Sequence, residues 1–356
     1  MPSAADRPLH SLEPATLLRQ FADFPPEGFE VGELAGAPFF TAPFDLLTTA
    51  DDGLKTRAAA LPGFAWWSRL LRIRTGFVGT TVSEYAPIPA DVAPSLLAHA
   101  LRSGPCRRHR LTIVKDLPQR SPLLPVTDNA AADALCNALA ASGFIPVEGQ
   151  ALAYVPIDFA DTDAYLARLS TSRRKNLKRK LRSRAGLEVS RVQTGAAFVG
   201  DAAVDAYYAL YEGVFAQSDV HFDRLGRDFF AALLRDERSG GVCFEYRRKT
   251  DGVLLGWNLC FEHGGKLVDK YIGLSYPAAR EADLYFVSWM VNLEYAVERG
   301  LSHYVAGWTD PQVKAQLGAS FTFTRHMVYI RNPLLRALGR RFAGHFESDR
   351  NWSEQA

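Results

Sequence analysis

Four stretches of this 356-residue chain combine residue types that could carry chemistry. In Ser218-Asp219-Val220-His221-Phe222-Asp223 a histidine stands between two carboxylates. Neighbouring negative charge raises an imidazole pKa and suits a general base. A loop histidine that caps a turn is an equal alternative, and Asp223 can instead cap the helix that begins near Arg227. Glu84, in Val82-Ser83-Glu84-Tyr85, could bind an amine or close a cross-strand ion pair. Lys270 and Tyr271 end a strand and, by alternation, point to opposite faces. Lys270 could stabilise developing negative charge or be a solvated lysine on an edge strand. Between Arg173 and Arg184, eight of twelve residues are Arg or Lys. So many like charges on one helix repel each other, which favours a polyanionic partner over an idle solvated face.

Several chemistries are missing. There is no GxSxG, HExxH or phosphate-binding Walker loop. The four cysteines, Cys106, Cys136, Cys243 and Cys260, show no metal spacing, and no metal site is expected. A net charge of +2 and 47% hydrophobic residues describe a soluble globular chain. The N-terminus lacks the basic and apolar regions of a signal peptide, and no run approaches the roughly 18 apolar residues of a membrane span. A cytoplasmic enzyme, working at most at the inner membrane surface, is expected.

The elements that must position these residues are clearest from Val242 to Tyr329. Val242–Arg248 and Val253–Glu262 read as strands joined by Lys249-Thr250-Asp251-Gly252, a hairpin signal. His263-Gly264-Gly265 turns the chain into a third strand, Lys266–Gly273. From Asp283 to Arg299 apolar residues recur at helical spacing, and Gly300 closes the helix. His303–Gly307 is a short strand. Upstream, Asp161-Thr162-Asp163 caps a helix expected to run unbroken to about Arg184. Gly76–Tyr85 and Leu111–Lys115 read as strands, Ala90–Arg102 and Ala130–Ala141 as helices. Phe64–Ile73 reads as one helix. Its Trp66, Trp67 and interspersed arginines fit either a core helix with snorkelling arginines or an interfacial helix on anionic lipid. Three antiparallel strands, a returning helix and a further strand make an α+β layer, in an α/β chain overall.

The words Gly252-Val253-Leu254-Leu255-Gly256, Lys270-Tyr271-Ile272-Gly273, Ala296-Val297-Glu298-Arg299-Gly300 and Lys314-Ala315-Gln316-Leu317-Gly318-Ala319 share a resemblance. So do Thr80–Tyr85, Ile113–Pro118 and Arg173–Leu177. Together they resemble the Fem-like branch of the GNAT, or acyl-CoA N-acyltransferase, superfamily over roughly residues 40–340. The resemblance implies two related halves, taken as 29–160 and 161–331. A loose lead-in, 1–28, precedes them and a helix with a tail, 332–356, follows. It implies two central strands that splay, with Gly256–Asn258 and Gly307-Trp308 as edges of the gap. It implies that Lys314 acts on the donor's phosphate or on the developing oxyanion, and that Trp308 walls an acyl pocket. The Gln/Arg-x-x-Gly-x-Gly/Ala turn that cradles CoA pyrophosphate in ordinary GNAT enzymes is absent. That absence counts against simple acetyl-CoA use; within the basic run, Arg173, Arg174, Lys175 and Lys178 could bind the phosphates of CoA, and the run could instead track tRNA or anionic lipid. The expected reaction is direct N-acyl transfer to an amine, with no permanently bound cofactor. An acyl-CoA thioester is the expected donor and an aminoacyl-tRNA the alternative. A non-catalytic binding module on the same scaffold is the reading from another class.

Overall fold

The structure, a computed structural model, describes residues 8–46, 56, 59–218 and 222–342. The strands in chain order are β1 (Glu30–Leu34), β2 (Ala37–Asp45), β3 (Arg72–Val78), β4 (Leu111–Gln119), β5 (Ile145–Pro156), β6 (Leu187–Gln193), β7 (Gly241–Arg248), β8 (Leu254–His263), β9 (Lys266–Leu274), β10 (His303–Gly307) and β11 (Ser320–Ile330). The principal helices are α1 (Ala15–Asp23), α2 (Pro94–Ser103), α3 (Val126–Ala141), α4 (Thr162–Arg168), α5 (Thr171–Lys180), α6 (Asp201–Phe215), α7 (Arg227–Arg235), α8 (Leu284–Glu298), α9 (Pro311–Gln316) and α10 (Pro333–Phe342). Among the described residues no helix is long and apolar enough to cross a membrane. All four cysteines are buried thiols.

The chain forms two compact units. One takes the residues up to Ser11, Pro25–Ala151 and the chain from Thr322 on; the other takes Leu12–Phe24 and Leu152–Phe321. In the first unit the strand order is β1-β2-β3-β4-β11, with β3 parallel to β4 and every other pair antiparallel. Helices α2 and α3 cover it, burying Leu97, Leu101, Leu135 and Leu139 against Val78, Val114 and Met327. In the second unit the order is β5-β10-β9-β8-β7-β6, with β9 parallel to β10. Helix α8 crosses from β9 to β10 and buries Val287, Met290, Leu293 and Ala296 in that unit's core.

The two halves are related by topology. Each runs from antiparallel strands through a crossover helix to a parallel strand, then through a helix to a final strand. The first series ends β3-α2-β4-α3-β5, and the second β9-α8-β10-α9-β11. The final strands trade places. β5 ends in the second unit against β10, and β11 pairs with β4 in the first. The mixed α/β class and the related halves are thus as expected.

Three local expectations change. The helix over 162–184 is broken, because Leu169 is extended and the Ser170 hydroxyl caps a new helix at the Arg173 amide. The strand from Gly76 stops at Val78. There Gly79 takes φ +118°, and the Thr80 hydroxyl turns the chain by accepting the Val82 and Ser83 amides. Phe64–Ile73 is one α-turn and one 3-10 turn, and Ile73 already pairs with Phe44 in the sheet. Trp66 is 75% exposed, so this segment is not a core helix.

In the first unit the Asp116 amide donates to His326 Nδ1 at 3.0 Å. That bond needs the ring nitrogen bare, and desolvation lowers the His326 pKa further. A lowered folded pKa gives stability that is complete above the ordinary value and lost as pH falls through the folded one. Thermal unfolding should therefore move to lower temperature on acidification below about pH 6. His326→Asn, whose amide oxygen can accept the same bond without titrating, should flatten that slope. Identical pH slopes for both proteins would show that His326 does not set it.

Candidate active site

The site is built where β9 and β10 part. Their parallel ladder runs from Lys266 beside His303 to Val268 beside Val305. Beyond it β9 continues to Leu274, whereas β10 ends at Gly307. Gly307 has φ +78°, a conformation that glycine adopts without strain, and it swings the chain away from β9. Gly307 is therefore an edge of the gap and Trp308, half-buried, follows it. Gly256–Asn258 is not an edge, since β8 pairs with both β7 and β9 through these residues.

The first β9 residue past the ladder is Asp269. Its carboxylate accepts from Asn292 Nδ2 at 2.9 Å, Tyr304 OH at 2.9 Å and Asn258 Nδ2 at 3.3 Å. Asn258 Nδ2 also donates to Asn292 Oδ1, and Tyr246 OH donates to Asn258 Oδ1. Side chains from β7, β8, β9, α8 and β10 thus close a polar network inside an otherwise apolar core, which the Cys260 thiol of β8 joins by donating to Asp269 at 3.6 Å. Burial pushes the Asp269 carboxyl above the usual carboxylate range, against the lowering pull of the Tyr304 and Asn258 hydrogen bonds and the nearby Lys314 charge.

Lys314 lies on α9 and is only 3% exposed. A β-carbon built at Gly307 would stand 3.9 Å from both the Lys314 ammonium and the Asp269 carbonyl oxygen. The ammonium is therefore at the parting of the strands. Helix α9 is held there by the Tyr165 hydroxyl, which donates to the Leu317 carbonyl. Gly318, at φ +91°, lets the chain pass tightly over Leu169. Buried lysines are rare unless paired. Here the electrostatic counterweight is Asp269.

Lys270 is the bulged residue of β9, between Asp269, which pairs with Cys260, and Tyr271, which pairs with Leu259, so the strict alternation expected for Lys270 and Tyr271 does not hold. Lys270 pairs with Glu13, just before α1, at 3.2 Å, with side-chain exposures of 6% and 3%. It is on a central strand, not an edge.

Helix α5 brings the basic residues to the same part of the second unit. Arg173, Lys180, Phe286, Gln316 and Leu317 line one small cleft, so α5 borders the first turn of α8 and the end of α9. Arg173 donates to the Ala315 carbonyl, and Lys180 pairs with Asp283 at 3.4 Å while lying over the Phe286 ring. Arg173, Lys175, Lys178, Arg179 and Arg182 are exposed, and Arg174 is half-buried. Arg184 leaves this set, because Glu294 binds it with two hydrogen bonds of 2.5 and 2.7 Å.

The remaining candidates stand elsewhere. Glu84 is buried in the first unit, in the loop after β3, and so is not in a strand. Asp223 is half-buried in the second unit, and Gly226, not Asp223, occupies the cap position of α7. His221 lies outside the described residues. Among the described residues no cluster of His, Cys, Asp and Glu could hold a metal ion.

Asp269, Asn292 and Tyr304 were not singled out from the sequence, and Asn258 was marked only as part of an edge of the gap. One signal was there: Ser288 and Asn292, four apart, are polar positions in an otherwise largely apolar helix α8, and both are buried.

Residues 171–315 match the family model described as an acetyltransferase (GNAT) domain. No curated protein matches the chain. Solved structures share its fold across nearly the whole length. The C-terminal domain of a putative lysylphosphatidylglycerol synthetase from Agrobacterium fabrum is 15% identical, covers 91% of this chain and 88% of its own, and has a TM-score of 0.52. L-PGS from Bacillus licheniformis is 10% identical, with coverages of 94% and 98% and a TM-score of 0.52. FemX is 13% identical, with coverages of 94% and 96% and a TM-score of 0.52. The matched segment contains the parted strands, Lys314 and the whole of α5, so the chain carries a segment similar to GNAT acetyltransferase domains, within a fold that FemX and the two synthetase structures share.

Proposed function

We propose that the protein transfers an acyl group from a CoA thioester to an amine by direct attack. The amine lone pair forms the C–N bond at the thioester carbonyl, and the oxyanion collapses to expel the thiolate. The thiolate takes up the proton the amine releases. The observation that carries this reading is the parting of β9 and β10 with a buried lysine beside it and a basic helix next to that lysine. The Lys314 ammonium would stabilise the oxyanion or a donor phosphate. The donor's phosphates would meet Arg173, Arg174, Lys175 and Lys178, since guanidinium forks suit phosphate. Trp308, following Gly307, would wall the acyl group. His221 and Asp223 are the acceptor-side candidates, and Lys270, paired with Glu13, would hold β9 in place. Use of acyl-CoA fits a cytoplasmic enzyme.

One observation favours an aminoacyl-tRNA donor instead. Exposed cations continue from Arg173 to Arg182, further than one phosphate cluster requires. The readings differ in counterion release. A chain of phosphates makes affinity fall steeply with salt, and a compact cluster does so only mildly. Donor affinity measured from about 50 to 300 mM salt should fall with a shallow slope. Arg179→Glu/Arg182→Glu should keep partial activity with acyl-CoA. A steep slope, or turnover only with aminoacyl-tRNA, would replace the first reading by the second.

A further inference from the structure

We propose that the first unit docks on an anionic phospholipid surface through the end of its sheet where β3 and β4 begin and β11 ends. β3 runs parallel to β4, and β11 antiparallel to it, with Ile330 beside Leu111. The segment before β3, the short helix before β4 and helix α10 after β11 therefore share that end. The Arg331 amide bonds the Arg110 carbonyl, which ties two of them together.

Helix α10 turns its apolar side outward. Leu334, Leu335 and Leu338 are 80%, 55% and 53% exposed. Their spacing puts them on one face. The packed side is made by Gly339 and Arg336. A β-carbon at Gly339 would stand 3.0 Å from Ile330 and 3.3 Å from Ile145, while the Arg336 guanidinium lies 4.6 Å from the centre of the Tyr329 ring. Glycine inside and leucines outside invert the usual arrangement for a helix on a soluble unit.

The surroundings are cationic. An open cleft of about 390 Å³ is lined by His99, Arg102, Arg107, Tyr329 and Arg331, among others. Arg102 also lies on the Tyr329 ring, at 4.2 Å. Across 61–74, 93–110 and 330–341 the sequence has eleven arginines and no Asp or Glu, and of these Arg74 is paired with Glu30 on β1, at 2.6 Å. Exposed Trp66 adds an interfacial aromatic at the same end. The cations rule out a purely apolar protein partner. The leucines and tryptophan rule against a purely polyanionic one such as RNA. Leucines that enter the acyl boundary beside arginines that hold headgroup phosphates fit an anionic bilayer on both counts.

The test is co-sedimentation of the full chain with phosphatidylcholine vesicles, with and without phosphatidylglycerol. Wild type should bind only the anionic vesicles. Leu334→Ser/Leu338→Ser should weaken partitioning by about tenfold or more, and Arg107→Gln/Arg331→Gln similarly. Both variants should keep wild-type circular dichroism. Soluble glycerol phosphate should not displace the protein, because it offers the phosphate without the apolar phase. Equal binding to both vesicle types, or no binding to either, would overturn the proposal. So would leucine variants that bind normally. Dimerisation abolished by the leucine variants would assign this face to a second copy, and tRNA binding without vesicle binding would assign it to nucleic acid.

Discussion

Lys314→Met is expected to lower kcat/KM by on the order of 100-fold, the effect of removing one oxyanion or phosphate contact. Methionine keeps the length of the side chain in a position that is 3% exposed, so the core beneath α9 stays filled. What is lost is the charge beside Gly307. That charge also lowers the Asp269 pKa, so burial should push the carboxyl higher still in the variant. Steady-state kinetics on a variant with wild-type circular dichroism checks this. Unchanged kinetics would reduce Lys314 to a counterion for Asp269 and remove it from the reaction.

Asp269→Asn should act first on stability. The carboxylate accepts from two asparagine amides and one tyrosine hydroxyl. An amide can accept at only one of its two ends, so at least one buried donor loses its acceptor, and Lys314 loses its balancing charge. The expected cost is about 2–3 kcal/mol. For a unit of this size that lowers Tm by roughly 5–10 °C. Activity should fall as well, because the network holds β9 and β10 in their parted positions. A variant with wild-type Tm and normal turnover would show that the network is not what sets the gap.

The second unit was largely legible in the sequence because its signals are local. Asp251-Gly252 makes the hairpin, with Gly252 at φ +69°, and the apolar spacing of 283–299 gives α8 within a residue at each end. Tertiary pairings carried no such mark. Glu13 and Lys270 are 257 positions apart, so nothing near Lys270 revealed that it pairs inside the unit. The Asp269 network draws its residues from five elements, and each looks ordinary where it stands. The break in the basic helix was hidden by leucines that keep helical spacing across Ser170. No second basic run comparable to Arg173–Arg184 stands in the sequence. Yet the first unit gathers arginines from three segments, none of them a run, on one end of its sheet.

The central claim is that the activated donor occupies the parting of β9 and β10 beside α5. Amide hydrogen exchange on the full chain, with and without saturating acyl-CoA, tests it most directly. The account predicts new protection in Thr171–Lys180, in Asp269–Leu274 and from Val305 to Gln316, with α10 and the cleft at Arg102 unchanged. Protection confined to the first unit, or none at donor concentrations that support turnover, would contradict it.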